Sequence, residues 1–498
     1  MSLAASRARP LLQTAALLLG TAFVVAAPIV SHSVAIPATR WMNIYDTADF
    51  PTLSNLASFL ANLRVPIPPV IATLEIISEQ VMGSAAPVTI FLYRSALILN
   101  FLIPPYLASH NPRHLLGSLV ASVVFSWGTV HFHPWNPQVY DVLFPLFLLL
   151  WILFLRLALL PPWRPWFQIA CALLAGFFLS MAELSRPFVL LILPIAIVGT
   201  WQALRLMNRR LPLVMIAPIV LLTGGWHVHL AISQHQLFWS NHSGFNLSQA
   251  WPQVEIPPYA LIPEDDNQPV SPGRWPNINT AEHSANSATL SSLVIEYAVS
   301  HPGDAVRHIL GRLLIYLEEA VPLSVPPHLT LPVGIYRLAV TVALLLLVAN
   351  LLPLIVFAVS LRARAWLLLA NTDNLLILVG CASFLLLALG SSVEETRLAL
   401  SILPILAVLP RATFAGPQSS RPLALRRATQ GLFAAGALLT LTGGLWDIIR
   451  GSAFNVGHAQ MVILAAGAVF LALGIRTCVE SRSAQIADGL PAPSGQGQ

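Results

Sequence analysis

The stretch VYDVLFPLFLLLWILFLRLALL, Val139 to Leu160, decides the fold class. Only Asp141 and Arg156 interrupt its apolar side chains, and they stand near its two ends. A helix rises about 1.5 Å per residue, so a run of this length reaches about 30 Å, the thickness of a bilayer's hydrocarbon core. Working outward from it, apolar runs of similar character occupy 11–30, 86–108, 114–130, 167–184, 187–204, 211–231, 333–359, 374–391, 397–410, 430–448 and 458–475. The run 397–410 is short and contains Pro404 and Pro410. The whole chain of 498 residues is 56% hydrophobic and 9% charged, against roughly 25% charged in a soluble domain. A soluble chain this apolar lacks the polar groups to cover its own surface. The expected fold is therefore an all-α integral membrane protein with about 12 transmembrane helices.

Charge then orients it. Basic residues outnumber acidic ones by 26 to 21, and all the basic ones are arginine. In a membrane protein that excess is a topology signal and does not point to nucleic acid. The absence of lysine points to a GC-rich genome and so to a bacterium. With the N-terminus inside, short inner connections carry Arg113, Arg164, Arg205, Arg209, Arg210, Arg362 and Arg364. The later inner segments add Arg411, Arg421, Arg426, Arg427, Arg476 and Arg482. Short outer turns keep Arg186, Arg397 and Arg450. This bias predicts an N-in, C-in topology. The first run follows Arg7 and Arg9 as a signal peptide would, but we read it as a retained helix.

Two outer segments are long. Residues 31–85 hold two amphipathic stretches, around Phe50–Leu60 and Val70–Val81, which predict helices lying in the outer interface. Residues 232–332 form a polar, Pro-rich loop, expected to be helical from Ser291 to Glu319 and irregular before it. The tail 476–498 ends in PAPSGQGQ and is expected to be disordered. Cys171 and Cys381 lie in apolar runs and Cys478 just beyond the last, with no ligand or disulfide spacing. There is no Gly-rich phosphate loop, long-period repeat or soluble catalytic domain. Any chemistry has to be built from outer loops and helix ends.

Those places hold the remaining charged and polar candidates. Tyr45-Asp46-Thr47-Ala48-Asp49-Phe50 sets two carboxylates just outside the first span. They serve either as a base at the membrane surface or as ordinary first-turn residues favoured by the helix dipole. His131, His133 and Asp141 flank the second outer turn, as metal ligands or, more simply, as hydrogen-bonded interface residues. Arg186, in a short outer turn, needs an anion, either Glu183 or a lipid phosphate. Glu395 and Arg397 form a local pair or offer paired donors to a phosphate. Arg94 lies inside the second span, where a charge costs on the order of 2.5–3.5 kcal/mol, so it should face a wet cavity or a partner. Arg156 is expected to snorkel to the inner surface, without a further role.

Together these segments resemble the GT-C superfamily of membrane glycosyltransferases, which includes protein O-mannosyltransferases and the lipid A aminoarabinose transferases. Asp46-x-x-x-Phe50 is similar to the Asp-Glu-x-x-(Tyr/Phe) signature after the first span, with Thr47 in place of the second acid. Asp141 resembles the Asp that opens the fourth span, and Ser185-Arg186-Pro187 matches the (Thr/Ser)-Arg-Pro junction. Glu395-x-Arg397 matches Glu-x-Arg-(Tyr/Phe), with Leu398 at the aromatic position. Gly244-Phe245-Asn246-Leu247 resembles a family Gly-x-Asn-Leu, with Gly244 allowing a tight turn. His301-Pro302 resembles the pair preceding the eighth span. The resemblance spans roughly residues 11–410 and implies a catalytic module over 1–410 with 31–85 and 232–332 as periplasmic loops; 411–475 form a C-terminal helix pair without usable motifs.

It implies a fold with periplasmic interfacial helices and a large periplasmic loop in a bacterial inner membrane. It also implies transfer, with inversion, of a sugar from a polyprenyl-phosphate donor to a glycan, lipid or protein acceptor at the periplasmic face. On that resemblance Asp46 or Asp49 acts on the acceptor hydroxyl, and Arg186, Arg397 and Arg94 hold the donor phosphate. Asp141, His131, His133, Glu395 and Asn246 line the cavity. No cofactor is required, and a divalent metal has no dedicated ligand set. The alternatives are a transporter or flippase for a lipid-linked saccharide, which would need internal repeats and broken mid-membrane helices, and an inactive relative that binds lipid in the envelope.

Overall fold

The computed structural model describes residues 69–70, 73–74, 77, 86–108, 112–132, 139–159, 165–186, 188–234, 243–251, 254, 281–309, 330–361, 368–390 and 401–410. Among them there is helix and no strand. The elements are α1 (Ala86–Leu107), α2 (Pro112–Phe132), α3 (Val139–Leu159), α4 (Pro165–Glu183), α5 (Val189–Met207) and α6 (Leu211–Pro218). A π-helical turn, Ile219–Gly224, joins α6 to α7 (Gly225–Gln234). Then follow α8 (Ser243–Ala250), α9 (Ala281–Ser300), α10 (Thr330–Leu361), α11 (Thr372–Gly390) and α12 (Leu403–Val408). The expected spans 11–30, 430–448 and 458–475 and the tail lie outside the described residues.

Four helical stretches are long and apolar enough to cross a membrane: Asp141–Leu159, Pro165–Glu183, Val189–Met207 and Leu211–Ile232. The last has only 28% of its apolar window buried inside the protein, and Leu213, Val220, Leu221, Val228 and Ile232 all stand exposed along it. Water would disfavour such a face at about 25 cal/mol per Å²; lipid does not.

With no hydrophobic drive between helices in lipid, close packing comes from small side chains. Ala172, Ala175 and Gly176 give α4 such a face. A Cβ on Gly176 would sit 2.0 Å from the Met215 carbonyl oxygen, so the α4–α6 contact exists only without one. On α2, Ser118, Ser122, Ser126 and Thr129 form a buried stripe. Ser118 Oγ donates to the Ala407 carbonyl of α12 at 2.6 Å. Gly128, beside that stripe, receives the Tyr336 ring of α10, which would lie 2.1 Å from a Cβ there.

The end of the bundle that arginine counting places inside is bolted together. Arg156 of α3 donates to Asp373 Oδ1 (2.5 Å) and Thr372 Oγ1 (2.9 Å) at the start of α11. It also donates to the Leu107 carbonyl at the end of α1. Arg156 therefore does not snorkel outward to water; an internal carboxylate and a helix-end carbonyl satisfy it where it stands. His114 of α2 adds a 2.6 Å contact with the Leu409 carbonyl. Leu409 has the left-handed conformation (φ 51, ψ 55) that ends α12. The helix in the expected span 397–410 is six residues long, Leu403–Val408, within the described part.

The large loop departs from its expectation in two places. Helix α9 starts at Ala281, ten residues before Ser291, and breaks at His301, because Pro302 lacks an N–H and constrains the residue before it. The helix resumes over 302–309. Gly244 does not make a tight turn. It sits in the first turn of α8, where a Cβ would meet the Ser287 carbonyl of α9 at 1.8 Å, and its N–H donates to Ser287 Oγ at 2.9 Å. Trp251, Val254, Val294 and Ala305 close a small separate core around this pair. In the first loop the described residues 69, 70, 73, 74 and 77 are helical, and Leu74 packs on the main core.

Candidate functional site

At the opposite end of the bundle, four polar side chains from three helical stretches form one layer. Asp141 opens α3 and is fully buried. Its Oδ1 accepts from Nη2 of Arg186, which lies just beyond the end of α4. Glu183, the last residue of α4, is also fully buried. Its Oε1 lies 3.1 Å from His227 Nε2 of α7. Arg186 N–H donates to the Glu183 carbonyl at 3.1 Å, so the Asp141–Arg186 ion pair and the Glu183–His227 contact spring from residues one turn apart.

The partner of Arg186 is thus Asp141 and not Glu183. Adjacency in sequence favoured Glu183. The chain leaves the helix at Leu184, however, so Arg186 points toward α3 while Glu183 stays on the face turned to α7. The backbone under Asp141 is pinned twice. Ser401 Oγ donates to the Asp141 carbonyl at 3.4 Å, and Asn100 Nδ2 of α1 donates to the Val142 carbonyl at 2.7 Å.

That last bond sets the height of α1. Asn100 is level with Val142, so Arg94, six residues earlier, lies about 9 Å farther toward the N-terminus of α1. Arg94 shares a helical stripe with Leu97 and Phe101 (i, i+3, i+7), both buried in the main core. Its Cβ tilts toward the N-terminus of α1, on the side of the helix that faces the core. Arg94 has no hydrogen-bond or ion-pair partner among the described residues, and its Nε is buried.

Of the other expected site residues, Asp46, Asp49, His133, Glu395 and Arg397 lie outside the described residues. His131 falls in the last turn of α2 and Asn246 in α8. Among the described residues no group of three or more His, Cys, Asp or Glu side chains is placed to hold a metal ion. Of the expected site residues, the structure thus brings together Asp141 and Arg186.

No protein-family model and no curated protein matches the chain. Among solved structures it is similar to the archaeal oligosaccharyltransferase AglB of Archaeoglobus fulgidus, determined in complex with an inhibitory peptide and a dolichol-phosphate. The identity is 13% and the TM-score 0.37, over 93% of this chain. The chain spans 56% of that protein's length.

Sequence reasoning missed His227. Its signal was present: Trp226-His227-Val228-His229 puts two ionisable side chains near the C-terminal end of an apolar run, where such residues are functional candidates by default. What no pattern announced is the π-turn at Ile219–Gly224. It follows Pro218, which lacks an N–H, and adds a residue to the turn. That rotates α7 so that His227 faces Glu183.

Proposed function

We propose that this protein is a membrane glycosyltransferase that moves a sugar from a polyprenyl-phosphate carrier to a lipid, glycan or protein acceptor. It works at the periplasmic face of a bacterial inner membrane, with both termini inside. The observation that carries this reading is the buried Asp141–Arg186 pair at one end of the bundle, together with Arg94 on the neighbouring helix α1, whose buried Nε has no partner among the described residues. A cation in an apolar surround is costly unless an anion reaches it. A phosphate on an isoprenoid chain, arriving sideways from lipid, is an anion that can. The motif resemblance around Asp46, Arg186 and Arg397 points to the same donor.

In this reading residues 1–410 form the catalytic module, and 411–475 add two spans. Asp46 or Asp49 orients the acceptor hydroxyl for in-line attack at the anomeric carbon, with inversion. Arg186, Arg397 and Arg94 hold the phosphate where negative charge accumulates as it leaves. Asp141 fixes Arg186 in place, so that donor is preorganised, and His131, His133, Glu395 and Asn246 line the acceptor side. No metal is assigned a role. A carrier that alternates access would have to open the inner end, where Arg156 ties α1, α3 and α11 together. That bolt favours chemistry confined to one face.

The test is mass spectrometry of envelope glycans and glycolipids from a deletion strain complemented with wild type, Arg94→Gln or Arg186→Gln at matched expression. Wild type should restore a glycoform that both variants fail to restore. Full restoration by both variants sinks the proposal.

A further inference from the structure

Helix α9 and its continuation over 302–309 carry two stripes. Val294 and Ala305 are buried with Ala250, Trp251 and Val254, which fixes the face turned to α8. The other stripe is Ala288, Ser292, Ile295, Val299, Pro302 and Val306, spaced by three and four residues as one face of a helix requires. Every member is exposed, Ile295 at 59%, Val299 at 75% and Val306 at 57%. Successive residues of a helix are about 100° apart, so Ile295 stands a quarter-turn round from buried Val294. Glu296, Asp304 and Arg307, all exposed, stand at least a further quarter-turn on, and no charge falls on the stripe. Single exposed apolar side chains need no partner, but a line of them about 27 Å long marks an interaction surface.

The partner within reach is the bilayer surface. The span Leu211–Ile232 keeps apolar side chains turned outward to its last residue, the exposed Ile232. Lipid therefore reaches to within two residues of the end of α7 at Gln234. Helix α8 begins at Ser243, nine positions on, a stretch that covers about 30 Å at most. It packs on both α9 and the apolar α11. Helix α9 is thereby held beside the lipid boundary, with a charge-free apolar stripe and its charged residues on other faces, which is the build of a helix lying in the interface plane. We propose that α9 lies on the bilayer with the Ile295–Val299–Val306 stripe set into the boundary between headgroups and acyl chains. Arg307, 86% exposed and only 3.6 Å-paired with Asp304, then reaches lipid phosphates from the edge of the stripe. The sequence pattern predicts interfacial helices in the first loop, 31–85; α9 adds one from the large loop and holds that loop down on the membrane. The placement follows from the faces of α9 and the lipid boundary alone, and does not depend on the reaction proposed above.

The test places the photoreactive residue benzoylphenylalanine at Ile295, Val299, Val306 or Glu296, one position at a time, in the full-length protein. Each variant is irradiated in nanodiscs of phosphatidylethanolamine and phosphatidylglycerol, and adducts are read by mass spectrometry. All four positions are exposed, so the fold should tolerate the label. Lipid adducts at Ile295, Val299 and Val306 should exceed those at Glu296 by at least about fivefold, as burial of one face in the interface requires. Equal lipid adducts at all four positions overturn the proposal. So does a cross-linked pair of chains in place of lipid adducts, because the stripe would then face a second copy. A second measurement adds Ile295→Asp and Val299→Asp to the protein labelled at Val306. The two charges should lift the helix and cut the Val306 lipid adducts by at least about fivefold; adducts persisting at the original level show that the stripe does not hold α9 on the membrane, and overturn the proposal as well.

Discussion

The buried pair Asp141–Arg186 gives the sharpest quantitative expectation. Asp141 is fully buried and the Arg186 side chain is 15% exposed, so each charge depends on the other for solvation. Removing one partner from a buried pair strands the other and costs about 3–5 kcal/mol. Replacing both by apolar side chains of similar volume is often neutral. Asp141→Ala and Arg186→Leu alone should therefore each destabilise by that amount, and the double variant by far less than their sum. The coupling should reach about 2–3 kcal/mol, the upper range for side chains in direct contact. The backbone should survive the exchange. The bonds that anchor α3 here, from Ser401 to the Asp141 carbonyl and from Asn100 to the Val142 carbonyl, do not involve the Asp141 side chain.

The assay is unfolding of the purified protein by SDS in mixed micelles for wild type, both singles and the double. Transfer is followed in parallel in membranes. The double variant should be folded and inactive, because the phosphate ligand has gone while the packing remains. Single-variant costs that add to within about 0.5 kcal/mol would refute the pairing. A fully active double variant would remove Arg186 from the donor site, whatever the stabilities show.

Three further expectations follow from other contacts. Gly176→Leu places side-chain atoms where the Met215 carbonyl already lies 2.0 Å from a Cβ. Thermal unfolding in detergent should show a loss of at least about 1–3 kcal/mol from overpacking, with α4 and α6 forced apart. Arg156→Gln strands Asp373 at the inner end; it should lower unfolding stability while leaving polyprenyl-phosphate affinity in nanodiscs within twofold, since Arg156 is at the far end of α3. Arg94→Gln should do the reverse, weakening polyprenyl-phosphate binding tenfold or more, with unfolding unchanged or slightly improved, because it removes a charge that has no partner among the described residues.

How much of this was legible in the sequence depends on what each feature costs to change. The run 139–160 became Val139–Leu159, 374–391 became Thr372–Gly390, and 333–359 became Thr330–Leu361. Burying a peptide unit in lipid without an internal hydrogen bond is so costly that an apolar run has one solution, and composition reveals it. The ends of those runs could also be read as the place for chemistry. Asp141, Arg186 and Arg94 were all marked as out of place before their neighbours were known.

Partner choice was not legible, because it depends on helix register and rotation, which composition does not encode. Glu183 and a lipid phosphate were the candidates for Arg186, and the partner it takes inside the protein, Asp141, was neither. What decides is that helix α4 ends between Glu183 and Arg186, sending the two side chains to different neighbours. The π-turn after Pro218 shifts His227 by an amount no periodicity of the apolar residues records. Height was hidden for the same reason. Arg94 seemed two turns deep when measured from the end of its own helix. Measured from the Asn100–Val142 bond, it lies about 9 Å toward the N-terminus of α1 from the level of Val142. The energetic consequence is specific: Arg156 is satisfied by the fold itself, through Asp373 and the Leu107 carbonyl, whereas the proposed function leaves Arg94 to be satisfied by an anion from outside the described residues.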